Sequence, residues 1–422
     1  METLNRQEQD VLDAIDEREL LDDLSSLVAI RSIDGTPGED EAQRWCAERL
    51  RNLGLTVDEW DIDIAAERVR PDFPGMEVER ATAVGCVATL GAAAGPPAMA
   101  FNGHTDVVPP GELDLWPGGD PFTLRVADGL AHGRGACDMK AGVVAIIAAA
   151  AAVRRTGMEL TRSIGIHCVT AEEDGGLGAY ATLRRGHTAD GCIIAEPTGG
   201  TVIPANAGSL TFEIVVHGLS THGSSRTLGV SALDKLEVVQ RALRSLELRR
   251  NNDSSDLFAH LDMGWPLSIG TVTAGDWAST VPDRLVATGR YGVRPGESLT
   301  AAQLEFEQAL AEAGREDEWL IEHPVQVTWP GGMFAPGQLP PGHPLLGDVI
   351  GAAAEITGTL PAVRGAPYGS DLRHYAAAGV PTVQFGPGDV RLAHAADEYV
   401  SIAEMADCAK VYALLMVRAS RG

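Results

Sequence analysis

The chain has 422 residues, 45% of them hydrophobic and 22% charged, so it is neither disordered nor fibrous, and its length calls for more than one hydrophobic core. A formal charge of −26 and a pI near 4.7 argue against a nucleic-acid partner, whose phosphates need Lys/Arg surfaces. The same acidity means that any anionic substrate must meet its own local Arg or Lys.

The first dozen residues are polar and acidic, without the basic stretch and apolar run of a secretory signal. Apolar residues at helical spacing (Val11, Leu12, Ile15, Leu20, Leu24, Leu27) predict a helix over 4–28. A second helix is expected over 39–53, with Trp45, Cys46 and Leu50 on one face and Gly54 as its stop. Short apolar strands then alternate with helices, the pattern of an α/β layer: strands at 83–90, 98–103, 163–170, 192–195 and 382–385, helices at 140–155 and 177–185. The Ala-rich run 141–153 is shorter than the ~20 residues of a membrane span and reads as a buried helix, so no membrane partner is expected.

From about residue 207 the texture changes. Strand 210–217, helix 231–246, polar loop 249–263, strands 267–272 and 284–293, helix 300–313 and a last strand near 319–323 give a β-α-β-β-α-β order, a small ferredoxin-like sandwich. The expected architecture is therefore a mixed-sheet, three-layer α/β catalytic domain (1–206 and 325–422) interrupted by an inserted α+β domain (207–324). Residues 92–98 and 251–256 read as loops, and a helix over 402–417 closes the chain. Six scattered cysteines with no CxxC pair fit reduced thiols in a cytoplasmic protein.

The chemistry lies after the strands. Strand 98–103 is followed by His104-Thr105-Asp106, strand 163–170 by Glu172-Glu173-Asp174, strand 192–195 by Glu196, and strand 382–385 by a glycine-rich turn leading to His394. Loops beyond the carboxyl ends of strands converge on one crevice, and Asp138 adds a fifth group at the start of the Ala-rich helix. Each residue alone has an ordinary explanation: a capping histidine, a solvated acidic turn, a carboxylate opening a helix. Their joint placement points to a metal. Two His and several carboxylates suit Zn²⁺, with Co²⁺ or Mn²⁺ as alternatives. Asp106, on the same side of an extended segment as His104, can accept the second ring N–H of His104. Glu172 and Glu173 can divide two jobs, one ligating metal and the other taking a proton from bound water.

The stretches Gly103-His104-Thr105-Asp106-Val107-Val108-Pro109, Gly133-Arg134-Gly135-Ala136-Cys137-Asp138-Met139-Lys140, Thr170-Ala171-Glu172-Glu173, Ala195-Glu196-Pro197 and Phe385-Gly386-Pro387-Gly388 with Ala393-His394 resemble, in the same order, the di-zinc deacylases and exopeptidases. That family includes acetylornithine deacetylase, succinyl-diaminopimelate desuccinylase, aminoacylase and glutamate carboxypeptidase. The resemblance implies two metal ions, with His104 and Glu196 on one, Glu173 and His394 on the other, and Asp138 bridging. It implies Glu172 as general base, Asp106 as the residue orienting His104, and a cis peptide after Asp138. It makes the inserted segment a lid and homodimer interface, with His222 helping to stabilise the oxyanion and Arg290 pairing with a substrate carboxylate. Hydrolysis of a small N-acyl amino acid is the implied activity. A dipeptidase or carboxypeptidase acting on short peptides is the alternative, and a non-catalytic binder of amino-acid derivatives a more distant one. The departures fall in the lid: Ser279 where the family has Asn, Arg226 where it often has Pro, and Ser231 where it often has Asn. The metal set itself is intact.

Overall fold

The computed structural model describes residues 4–91, 95–252 and 256–421. It is a mixed α/β protein that divides into two compact units. The first comprises residues 1–205, 338–364 and 370–422; the second, residues 206–337 and 365–369.

The frame of the first unit is a large mixed sheet. Its strands run in the order Thr56–Asp61, Val84–Leu90, Ile164–Val169, Met99–His104, Cys192–Ile194 and Thr382–Gln384. The last four are mutually parallel: His104 lies opposite Val169, Asn102 opposite Ile194, and Gln384 opposite Ile194. Their carboxyl ends therefore share one edge. These strands are buried along their whole length, which is why they read as unbroken apolar runs rather than as alternating ones.

Helix Ala141–Arg155 is buried from Ala141 to Val153 and packs against the closing helix Ile402–Ser420. With the preceding turn it is long and apolar enough to cross a bilayer, yet 94% of that window is buried inside the protein, as expected of a core helix. Small side chains are needed here. A Cβ on Gly142 would meet the Ala195 carbonyl oxygen at 2.2 Å, so only glycine lets the helix approach the strand that leads to Glu196.

The opening segment is two helices rather than one, Arg6–Asp13 and Glu17–Ala29. The Asp16 carboxylate accepts from the N–H groups of Arg18 and Glu19 and starts the second helix, a capping signal that outweighs the continuous periodicity.

The second unit contains an antiparallel sheet in the order Leu267–Ala274, Arg284–Val293, Gly208–His217, Gln326–Thr328, with helices Ala232–Asn251 and Leu299–Gly314 contributing to the same core. Leu210, Phe212, Ile214 and Val216, at every second position of Gly208–His217, bury one face against Phe306, Leu243 and Leu246. Two expectations are corrected. Residues 318–322 form a short helix, because Asp317 caps the N–H groups of Trp319 and Leu320; the last strand of the motif is Gln326–Thr328. Residues 249–251 of the expected loop 249–263 belong to helix Ala232–Asn251. The loop readings at 92–98 and 251–256 fall in part outside the described residues.

Candidate metal centre

Each of the five expected ligands sits at the shared strand edge of the first unit or on a turn that returns to it. His104 is the last residue of its strand and is fully buried. Asp138 lies in a turn, Ala136–Lys140, that leads into the Ala-rich helix, and the Asp138–Met139 peptide is cis. Glu172 and Glu173 follow strand Ile164–Val169 through Ala171, whose φ is +58°. The acidic turn is anchored from behind, since Asp174 and Glu39 grip the buried Arg80 guanidinium at 2.9 and 3.2 Å, and Glu39 also accepts from the Thr170 hydroxyl. Asp174 is therefore a structural ion-pair partner and not a free surface acid.

Two groups of three result, with ligand atoms within 4.8 Å of one another: His104, Asp138 and Glu196, and Asp138, Glu173 and His394. Asp138 belongs to both. Its Oδ1 is 3.1 Å from His104 Nε2, and its Oδ2 is 3.8 Å from His394 Nε2. Glu173 Oε2 lies 3.0 Å from the same His394 nitrogen. His394 is the most open of the five, with 55% of its side chain exposed.

Asp106 acts differently from the expectation. His104 Nδ1 is 3.1 Å from the Asp106 backbone oxygen, whereas the Asp106 carboxylate is 3.7 Å away, too far for a hydrogen bond. The carboxylate accepts from the Glu173 N–H instead, at 3.1 Å. Asp106 thus positions one residue of each group: His104 through its main chain, Glu173 through its side chain.

His222 and Arg290 lie in the second unit and are not members of either group. His222 is exposed; its Nδ1 caps the turn Gly223–Leu228 by accepting from the Ser224 N–H at 3.1 Å. Arg290 is half-buried, and its guanidinium donates to the Pro367 carbonyl at 3.0 Å.

One buried acid escaped the sequence reading. Glu398, four residues beyond His394, accepts from the Cys137 and Asp138 N–H groups and from Arg134. An acid beside Asp397 in a loop looks solvated, and only its company in three dimensions shows otherwise. Asp371 and Arg373 are sealed from solvent; Arg373 donates to the Gly175 carbonyl, behind the Glu172–Glu173 turn.

Electrostatics explain what such a centre requires. Burial, then the neighbouring charges of Glu196 and Asp371, push the Glu172 carboxyl well above its ordinary range. Burial and Asp138 also push Glu196 well up and raise Glu173. Burial also raises Asp371, to about 7. Burial pulls His104 down, but Asp106, Asp138 and Glu196 more than reverse this and hold it well above the usual imidazole value; a hydrogen bond to Glu173 raises His394. Asp138 alone is lowered: burial opposes its ionisation, but the hydrogen bond from His104 and the charges of His104 and His394 prevail. This crowd of buried acids with two imidazoles is a charge imbalance that divalent cations would offset, and its N/O donor set suits a borderline ion.

The sign of the resulting pH effect follows. Groups whose folded pKa is raised hold more protons folded than unfolded, so the metal-free protein loses stability as pH rises through those pKa values. Ligation removes the same protons, so binding strengthens with pH. We expect the melting temperature in chelator to fall between about pH 5 and about pH 8 while the increment from added Zn²⁺ grows. Paired thermal melts with chelator and with Zn²⁺ measure this; a constant or shrinking increment contradicts it.

Grouped carboxylates and imidazoles at the strand ends of a mixed α/β sheet form a site that could hold divalent metal. Comparison with known proteins agrees and is more specific. Residues 100–418 match the sequence profile of Peptidase family M20/M25/M40, and the chain belongs to that family. It is 30% identical over 409 residues to a succinyl-diaminopimelate desuccinylase of Methylorubrum populi, covering 92% of this chain and 96% of the relative. It is 26% identical over 390 residues to N-formyl-4-amino-5-aminomethyl-2-methylpyrimidine deformylase of Bacillus subtilis, covering 87% of each. Among solved structures, the fold matches aminopeptidase PepT of Bacillus cereus with a TM-score of 0.72 at 20% identity, over 97% of this chain and all of that one. The chain is thus an amide-cleaving hydrolase of this family.

Proposed function

We propose that the protein hydrolyses the amide bond of a small N-acyl amino acid, with Glu172 as general base. The observation that carries this reading is the arrangement around Asp138. Two ligand groups share its carboxylate, while Glu172 is buried beside them yet belongs to neither. The donor set fits two divalent cations, Zn²⁺ ahead of Co²⁺ or Mn²⁺, with His104 and Glu196 on one, Glu173 and His394 on the other, and Asp138 between. Such ions supply Lewis acidity that polarises the acyl carbonyl and lowers the pKa of water.

The chain's own residues do the rest. Glu172 accepts a proton from the attacking water and returns it to the departing nitrogen, so that amide and water become a carboxylate and a free amine. His222 donates to the developing oxyanion, a contribution commonly worth about 3–4 kcal/mol per donor. Arg290 pairs with the substrate carboxylate, for which its planar fork is better shaped than a Lys, and offsets the acidic surface. Homodimerisation through the second unit belongs to the same reading; the exposed edge strand Leu267–Ala274 and the exposed Trp277 support it. A reducing, cytoplasmic setting is supported by six free cysteines, all buried.

The test is a side-by-side assay of N-formyl, N-acetyl and N-succinyl amino acids and of dipeptides, each with added Zn²⁺, Co²⁺ or Mn²⁺. Faster release of amino acid from an N-acyl substrate than from any dipeptide is expected. The reverse order makes the protein a peptidase, and no turnover of either class defeats the proposal.

A further inference from the structure

Two buried side chains outside the ligand set fasten the turns that carry Asp138 and His394. Glu398 has no exposed surface. Its Oε1 accepts from the backbone N–H groups of Cys137 at 2.8 Å and Asp138 at 2.9 Å, which fixes the peptide plane leading into Asp138. Its Oε2 accepts from Arg134 Nη1 at 2.5 Å. The other terminal nitrogen of Arg134 donates to the His394 carbonyl at 3.3 Å and to the Pro109 carbonyl at 3.4 Å, and the guanidinium lies over the Trp116 ring, 5.1 Å from its centre.

The His394 end needs such a hold. Its φ of +63° lies in the left-handed region, which a residue with a side chain occupies only when its surroundings impose it. The Arg134 bond to the His394 carbonyl is one such restraint, and the same guanidinium reaches Asp138 through Glu398. One ion pair thus spans the bridging residue and the most open ligand. Charge-assisted bonds in a fixed fork hold geometry better than a point charge can.

We propose that Arg134 and Glu398 are positioning residues that set Asp138 against His394, and so govern the metal affinity of the group formed by Asp138, Glu173 and His394. This rests on the metal reading given above. Neither residue is assigned contact with substrate or metal; each acts through the main chain of a ligand.

Zn²⁺ competition titrations against a chelating dye, with metal content of the dialysed protein, test it on the full chain. The wild type is compared with Glu398→Gln, Arg134→Lys and His394→Ala, the last marking which binding step belongs to the His394 group. In Glu398→Gln the amide still offers an oxygen to the two N–H groups but turns a donor toward Arg134. In Arg134→Lys the charge opposite Glu398 stays while the reach to the His394 carbonyl is lost. Arg134→Lys should weaken the step that His394→Ala removes by about 10–100-fold and the other step far less, whereas Glu398→Gln, acting on the shared Asp138, should weaken both. Arg134→Lys, the gentler change, keeps the test decisive if Glu398→Gln does not fold. A folded Arg134→Lys protein with both steps at wild-type affinity overturns the proposal. So does an equal loss in both steps in Arg134→Lys with a lowered metal-free melting temperature, which is the mark of a merely structural pair. A wild type that takes up no Zn²⁺ defeats the metal reading itself, and is distinguished by that.

Discussion

Glu172→Gln is expected to cut kcat by about 10⁴-fold, the upper end of what general acid–base catalysis contributes, because in the proposed mechanism one carboxylate serves both proton transfers. Glutamine has nearly the same shape but cannot accept the proton at the oxygen or hand it back to the amine. The loss should fall on kcat, with KM little changed, since Glu172 is not the group assigned to the substrate carboxylate. Metal content should remain as in the wild type, because Glu172 belongs to neither ligand group. Stability should hold or rise. The Glu172 carboxyl is raised by burial and by Glu196 and Asp371, so at neutral pH its ionisation works against folding, and a neutral amide removes that penalty. Kinetics at saturating metal, metal analysis and a thermal melt check the three parts together. Activity within tenfold of wild type would falsify the role of Glu172.

The pattern of strands delivering His104, Glu172–Glu173, Glu196 and His394 to one edge was legible because parallel strands fix direction. Once a run is read as a strand, its carboxyl end is known. Asp138 was legible because it precedes a helix too apolar to be anything but core. What escaped were the contacts that sequence spacing cannot encode. Asp106 lies two residues from His104, and period-two geometry puts them on one side, but the carboxylate is drawn to the Glu173 N–H and the imidazole turns to a main-chain oxygen. Glu398 and Arg134 look like surface charges until the chain brings them together over the Asp138 turn. The helix at 318–322 was misread because Trp and Ile favour strands, while the cap from Asp317 and the stacking of Trp319 on His323 decide the local conformation. Apolar periodicity thus marks the scaffold, and polar pairing over long sequence distances finishes the site.

Asp138→Asn should damage the centre more than removal of any other ligand, because Asp138 is the one residue common to both groups. Its Oδ1 faces His104 and its Oδ2 faces His394, so an amide can present an oxygen to one side only and turns a donor to the other. Loss of the shared negative charge also weakens the pull on both cations. We therefore expect metal content to fall from about two equivalents to one or fewer, and kcat/KM to drop by on the order of 10³-fold or more. His394→Ala, by contrast, should cost one equivalent and leave the His104 group loaded. The fold should survive Asp138→Asn, since the contacts that hold the turn are main-chain N–H bonds to Glu398, which the substitution leaves in place. A stability cost should still appear in the metal-free protein. The Asp138 carboxyl is held below its ordinary value by His104 and His394, so its stabilising effect is present at neutral pH and fades as pH falls through that lowered pKa. Metal-free melts of wild type and variant should accordingly differ at about pH 7 and converge in acid. Two full equivalents of tightly held metal in a folded Asp138→Asn protein would remove Asp138 from the bridging position, and with it the shared centre on which the hydrolytic mechanism depends.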